Sequence, residues 1–235
     1  MKNKWPERHY LDLFASAGLV RLRDGGEIIH GSPLLAASVP DPFTCVHCCE
    51  QDRERADALE RRLAAVCGER QHRVLRGDAN ILIRELLKPI PDRDALSLVF
   101  ADPYGLHLDF ETVRAIASKR CDMIILLADN MDALRNWQTY YVDNPDSNLD
   151  RFLGEPGWRD ILAGTPPDRQ AAALRDRYQF RLGTLGYKHF AFERVSNSHG
   201  RDIYSLLFAS RNPKGLEFWK KASSIDEGGQ RTFGD

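Results

Sequence analysis

Five short apolar runs, each carrying or closing on an acidic residue, constrain this chain more than any other feature. Asp12 lies within Tyr10-Leu11-Asp12-Leu13-Phe14. Residues 44–49 (TCVHCC) run into Glu50, and the weaker run 72–76 (HRVLR) is followed by Gly77-Asp78. Residues 96–101 (LSLVFA) run into Asp102, and 123–128 (MIILLA) into Asp129. Runs of this length, bounded by turn residues, predict buried strands. Helical patterns lie between them. Residues 32–38 (SPLLAAS) predict a helix with a Ser cap and Pro at its first position. Residues 53–67 place Ala56, Leu59, Leu63 and Val66 on one face, and Gly68 ends the pattern. Residues 81–87, 110–118 and 131–142 also read as helices. Alternating strands and helices need right-handed crossovers, which gives a parallel sheet.

The pattern changes after the fifth run. Residues 144–164 are interrupted by Pro145, Pro156, Gly157 and Gly164, and 169–185 returns to a helical period. A helical insertion is therefore expected over 130–185. Two further strand patterns, 188–195 and 203–209, are separated only by the polar turn 196–202, which makes an antiparallel hairpin. With 235 residues and 43% hydrophobic content, the chain reads as one α/β domain over 1–235. Its expected sheet is doubly wound and Rossmann-like: five parallel strands plus a closing antiparallel hairpin. That layout resembles the class I methyltransferases, which use S-adenosylmethionine.

The formal charge of −1 argues against a chain whose whole surface attracts phosphate. No run of 18 apolar residues predicts a membrane span. No apolar core of a signal peptide follows the first residues, so a cytoplasmic location with no membrane association is expected. Five cysteines, an odd number, predict reduced thiols rather than a disulfide framework.

In an open parallel sheet, ligands bind beyond the carboxyl ends of the strands. Asp12, Glu50, Asp78 and Asp102 converge there. S-adenosylmethionine offers a sulfonium, an ammonium, a ribose diol and an adenine amino group, all served by acceptors or negative charge. Glu50 suits the diol and Asp78 the adenine amino group. Asp and Gly also suit the turns where strands end; it is the series of four that points to a nucleoside cofactor. The first turn, from Asp12 to Gly18, holds small residues that let a ligand approach. It is neither a G-x-G-x-x-G fingerprint nor a phosphate-cradling Walker loop. The expected cofactor set is Asp12, Phe14, Ser16, Gly18, Glu50, Asp78 and Ala79. Asp102-Pro103-Tyr104 is the expected catalytic set. A carboxylate there can accept the protons of a target amino group, and an aromatic ring can stack on an extruded base.

Other groups carry less. Cys45 and Cys48 have C-x-x-C spacing, but residues three apart on a strand face opposite ways, so no metal site is expected. Asn197 and His199, in the closing turn, are candidate substrate contacts. Trp137, Tyr140, Tyr141 and Arg135 can stack single-stranded bases or form the core of the insertion, and the second reading is preferred. The polar tail 223–235 is expected to fray.

Several blocks resemble the three-Cys-motif partner protein (TcmP) family: residues 10–15 (YLDLFA), 31–36 (GSPLLA), 77–80 (GDAN), 102–106 (DPYGL), 204–210 (YSLLFAS) and Phe218-Trp219. The resemblance implies a methyltransferase-like domain that works with a separate three-cysteine-motif protein, whose motif looks like a radical S-adenosylmethionine iron–sulfur site. Two departures stand out. Ser16-Ala17-Gly18 replaces a Gly-Pro-Gly-like turn, and the lead before the first strand is shorter than relatives usually carry. Two functions follow as expectations: amino-group methylation with nucleic acid as acceptor, or a non-catalytic scaffold that positions the cysteine-motif partner.

Overall fold

The computed structural model describes residues 4–22, 26–128, 137–196 and 202–224. Nine strands are present among them: β1 (Glu7–Asp12), β2 (Leu19–Arg21), β3 (Ile28–His30), β4 (Cys45–Glu50), β5 (Gln71–Arg76), β6 (Ala95–Ala101), β7 (Cys121–Leu127), β8 (His189–Ser196) and β9 (Asp202–Ser210). Seven form one sheet in the order β5-β4-β1-β6-β7-β9-β8, while β2 and β3 pair separately. Strand β1 is parallel to both β4 and β6, and β4 is parallel to β5. Strand β9 runs antiparallel to β7 and β8. The fold is α/β with a mostly parallel sheet and a closing antiparallel hairpin.

Two compact units divide the chain. The first comprises Met1–Cys121 with Asn148–Gly154, and the second Asp122–Ser147 with Glu155–Asp235. In the first, helix α1 (Ser32–Ser38) and helix α2 (Arg53–Cys67) bury one face. Ala56, Leu59 and Leu63 of α2 meet Tyr10, Val46 and Cys48 of the sheet and Leu34 and Ala37 of α1. Each fully buried leucine contributes about 1.5–3 kcal/mol. Asp52 caps α2 by accepting from the Arg55 amide at 2.9 Å. Helix α3 (Ala79–Leu87), helix α4 (Phe110–Ile116) and helix α5 (Asn148–Leu153) complete this unit.

Helix α1 spans the expected residues but is capped differently. Gly31 is its N-cap and makes no side-chain cap bond. Ser32 is not the cap, because its hydroxyl donates to Asp12 instead. The short ribbon β2–β3 was not expected. Its strands are three residues long and leave Val20, Ile28 and Ile29 exposed, so they give no alternating burial pattern.

All five cysteines are buried, and their thiols are not joined in disulfides. Cys45 and His47 share one face of β4, whereas Cys48 joins the cluster on the other face. At the amino ends of β1 and β4, a polar chain crosses the sheet face, buried at His9, His47 and Cys45 and open to solvent at Glu7. The Glu7 carboxylate lies 3.0 Å from His9 Nε2, and His9 Nδ1 lies 3.0 Å from His47 Nε2. His47 Nδ1 in turn faces Cys45 Sγ at 3.9 Å. Burial pushes His47 down to about 4 and lowers His9, so both imidazoles are neutral at pH 7.

The second unit begins on β7. Its helical segments are a π-helical turn (Trp137–Val142), helix α6 (Trp158–Leu162), a 3₁₀ turn (Pro167–Arg169) and helix α7 (Gln170–Thr184). Trp137 and Tyr141 are buried, while Tyr140 is exposed. Trp137 meets Trp158 edge-on at 6.2 Å. Arg159 lies over the Trp158 ring at 4.5 Å and donates to the Val142 carbonyl at 3.0 Å. Trp137 and Tyr141 therefore serve the core of the unit, whereas the exposed Tyr140 does not. Helix α8 (Pro213–Ser223) follows the hairpin, and its Trp219 stacks on Phe208 at 5.0 Å. Among the described residues, no helix is long and apolar enough to cross a membrane.

Candidate active site

The first unit contains all ten residues expected to bind cofactor or to act in catalysis. Strand order brings their elements side by side: β5, β4, β1 and β6 are neighbours. Asp12 ends β1 and pairs in register with Cys48 and Phe100, while Glu50 ends β4 opposite Arg76. Asp78 follows β5 and Asp102 follows β6. Among the described residues, none of these four acids is ion-paired to a Lys, Arg or His.

Asp12 has no exposed surface. Its Oδ2 accepts from the Ser32 hydroxyl at 2.6 Å and the Tyr10 hydroxyl at 3.2 Å. Among the described residues no group completes a hydrogen bond to Oδ1, although the Phe14 amide acts on the carboxylate from nearby. Burial pushes its carboxyl up to about 6; Ser32, Tyr10 and the Phe14 amide oppose that rise, and the nearby Asp102 charge adds to it. Burial and the Asp12 charge raise the Tyr10 hydroxyl, so it stays a donor. Asp12 has no surface open to solvent, so it can act on neighbouring groups through its field rather than by direct contact with solvent. The carboxylates with exposed surface are Glu50, Asp78 and Asp102.

Glu50 ties two backbone segments together. Its Oε2 accepts from the Ser16 amide at 2.7 Å and its Oε1 from the Asp52 amide at 2.9 Å. Each oxygen keeps a further lone pair for a ligand. Ser16 is exposed and has φ +52°, a left-handed conformation that costs a residue with a side chain roughly 1 kcal/mol. Gly18 has φ +78°, and a Cβ there would lie 2.8 Å from Leu59 Cδ1. The packing of Leu59, in addition to any ligand, thus demands glycine. Phe14 is half-buried in the same turn.

Asp78 is the N-cap of α3, accepting from the Asn80 amide at 2.7 Å, and Ala79 is buried behind it. Asp102 is exposed, Pro103 is buried and Tyr104 is 92% exposed. Partial burial raises the Asp102 carboxyl above its usual value. Pro103 therefore anchors the motif while the acid and the ring project outward.

Sequence reasoning missed three supporting residues. Asn80 clamps the loop that follows Asp102. Its Nδ2 donates to the His107 carbonyl at 2.9 Å, and its Oδ1 accepts from the Asp109 amide at 3.0 Å and the Thr112 hydroxyl at 2.8 Å. Arg151 of α5 pairs with Asp109 at 3.5 Å, and Ser32 holds Asp12. Asn80 stood within a noted sequence block, but its partners lie 27–32 residues away, beyond any local pattern. Asn197, His199, Asp129, Arg135 and the tail after residue 224 lie outside the described residues.

No family model matches the sequence, and no curated protein matches it. Solved structures do. The O-methyltransferase TomG from Streptomyces achromogenes, solved with S-adenosylmethionine, is 15% identical; the match covers 86% of this chain and 73% of TomG, with a TM-score of 0.50. An O-methyltransferase from Bacillus cereus, solved with S-adenosylhomocysteine, is 13% identical over 86% of this chain and 74% of its own, with a TM-score of 0.48. Trm1 from Pyrococcus horikoshii, solved with S-adenosylmethionine, is 11% identical over 90% of this chain and 53% of its own, at a TM-score of 0.49. The chain shares the Rossmann-like fold of methyltransferases.

Proposed function

We propose that the chain is an S-adenosylmethionine-dependent methyltransferase acting on an amino group of a nucleic acid or nucleobase. The observation that carries this reading is the row of four acids without ion-pair partners, at the carboxyl ends of four neighbouring strands. A cationic ligand rich in donors answers that arrangement, and S-adenosylmethionine is both. The buried Asp12, whose Oδ1 has no completed hydrogen bond among the described residues, provides negative potential beneath it. Glu50 would take the ribose diol and Asp78 the adenine amino group. Phe14, Ser16, Gly18 and Ala79 would line the path.

When bound, the cofactor supplies an electrophilic methyl group. The protein's work is positioning. Asp102 accepts an N–H of the acceptor, which keeps the nitrogen lone pair free, and then takes the released proton. Its raised carboxyl suits that task. Tyr104 offers an open ring face for a planar acceptor. By the TcmP resemblance, a three-cysteine-motif iron–sulfur protein works alongside, and it would deliver substrate to a chain whose balanced charge gives weak phosphate affinity.

One observation favours a second reading, the non-catalytic scaffold. Ser16 holds a glycine-type conformation, and its amide occupies one Glu50 oxygen, which weakens the ribose site. Asp102→Ala separates the two. As an enzyme, the variant loses methyl transfer by about 10²–10⁴-fold while still binding cofactor. Normal methyl transfer by Asp102→Ala would remove Asp102 from the acceptor site. Absence of any transfer by wild-type protein mixed with the cysteine-motif partner and RNA, DNA or free nucleobases would favour the scaffold.

A further inference from the structure

We propose that His9, Cys45 and His47 form a binding site for a zinc-type divalent transition ion, with Glu7 orienting His9 from outside the ligand set. This site stands at the amino ends of β1 and β4, and it is independent of the methyltransferase reading.

The sheet register builds it. His9 pairs with Cys45 across the parallel β1–β4 ladder, and His47 sits two residues beyond Cys45 on the same face. One ligand atom from each of the three lies within 4.8 Å of the others, and all three residues are buried. A tetrahedral zinc ion with bonds of about 2.0–2.1 Å to nitrogen and about 2.3 Å to sulfur spans ligand edges of roughly 3.3–3.8 Å. His9 Nδ1 and His47 Nε2 are 3.0 Å apart, so an ion between them needs only a small separation of the rings. Glu7 Oε2 accepts from His9 Nε2 at 3.0 Å. A carboxylate on the far nitrogen of a ligating histidine fixes its tautomer and orientation. Glu7 is 47% exposed, which gives the ion a way in.

Binding requires deprotonation. The Cys45 thiol releases its proton to solvent as the sulfur–metal bond forms. The single proton of neutral His47, which bridges Nε2 to His9 Nδ1 in the metal-free chain, moves to Nδ1, so that Nε2 ligates. Three protein ligands leave a fourth position for water. Arg73, whose charge acts on His47, is paired with Glu85 at 2.6 Å. The placement is unusual for a structural core, since strands buried in a parallel sheet are ordinarily apolar. The paired spacing Cys45–Cys48, by contrast, puts its thiols on opposite faces and holds nothing together.

The test is titration of chelator-treated, full-length protein with Co²⁺, followed by displacement with Zn²⁺. The expected result is one ion per chain with a sulfur-to-cobalt charge-transfer band. The band should vanish in Cys45→Ser and persist in Cys49→Ser. Glu7→Gln should weaken zinc affinity by about 10–100-fold. Folded wild-type protein that develops no such band, or a band that survives Cys45→Ser, would overturn the proposal. Glu7→Gln keeps the test decisive if Cys45→Ser fails to fold, because unchanged affinity in that variant also overturns it.

Discussion

At the amino ends of β1 and β4, polar side chains satisfy one another in sequence: Glu7 with His9, His9 with His47, His47 facing Cys45. At the carboxyl ends of the same two strands, among the described residues, Asp12 keeps a buried oxygen with no completed hydrogen bond, and Glu50 accepts from two backbone amides. The turn between them contains a serine in a left-handed conformation. The same pair of strands is therefore locally balanced at one end and left with charge and strain at the other. Uncompensated charge and strained backbone cost stability, and they persist where a ligand is bound. The contrast is the physical support for proposing that the cofactor binds at the carboxyl ends.

Substitutions can break or sharpen this contrast. Gly18→Ala should have the largest effect on stability, a loss of about 1–3 kcal/mol in chemical denaturation, because it combines φ +78° with contact against Leu59. An unchanged midpoint would show that the first turn is looser than described.

Asp12→Asn should do the opposite at pH 7. A buried carboxyl raised from 3.8 to about 6 binds a proton more tightly folded than unfolded. Stability is therefore lost as pH rises through that window. Removing the charge should restore about 2 kcal/mol at pH 7 and nothing below pH 3.8. The same variant should bind a cationic nucleoside more weakly. In wild-type protein, that affinity should rise as pH increases through about 6, as Asp12 ionises. Equal stability of the two proteins across the pH range would mean that Asp12 is solvated after all.

Ser16→Gly should give the smallest change, a gain of about 0.5–1 kcal/mol from relief of the left-handed serine. It should leave zinc uptake at the amino ends untouched. A loss of stability would show that the Ser16 side chain contributes contacts that outweigh its strain.

Much of this was legible in the sequence because it is local. Apolar runs closing on acids gave the parallel strands, and the turn-linked pair 188–195 and 203–209 gave the hairpin. Helix α2 matches its predicted span because the apolar period and terminal Gly68 agree, and the structure adds an Asp52 cap at its start. What escaped depends on distant partners. Ser32 reads as a cap from its neighbours, yet it donates to Asp12, 20 residues earlier. His9 carries no local signal, and only the register across 38 residues sets it against His47. The strain at Ser16 is a dihedral angle, and its residue type points the other way.

The central claim is that the carboxyl ends of β5, β4, β1 and β6 hold S-adenosylmethionine, and calorimetric titration of the full chain with S-adenosylmethionine and S-adenosylhomocysteine tests it most directly. The account predicts micromolar binding above pH 7, weakening as Asp12 is protonated near pH 6, and abolished by Glu50→Ala. No heat with either ligand, or binding that Glu50→Ala leaves intact, would contradict it.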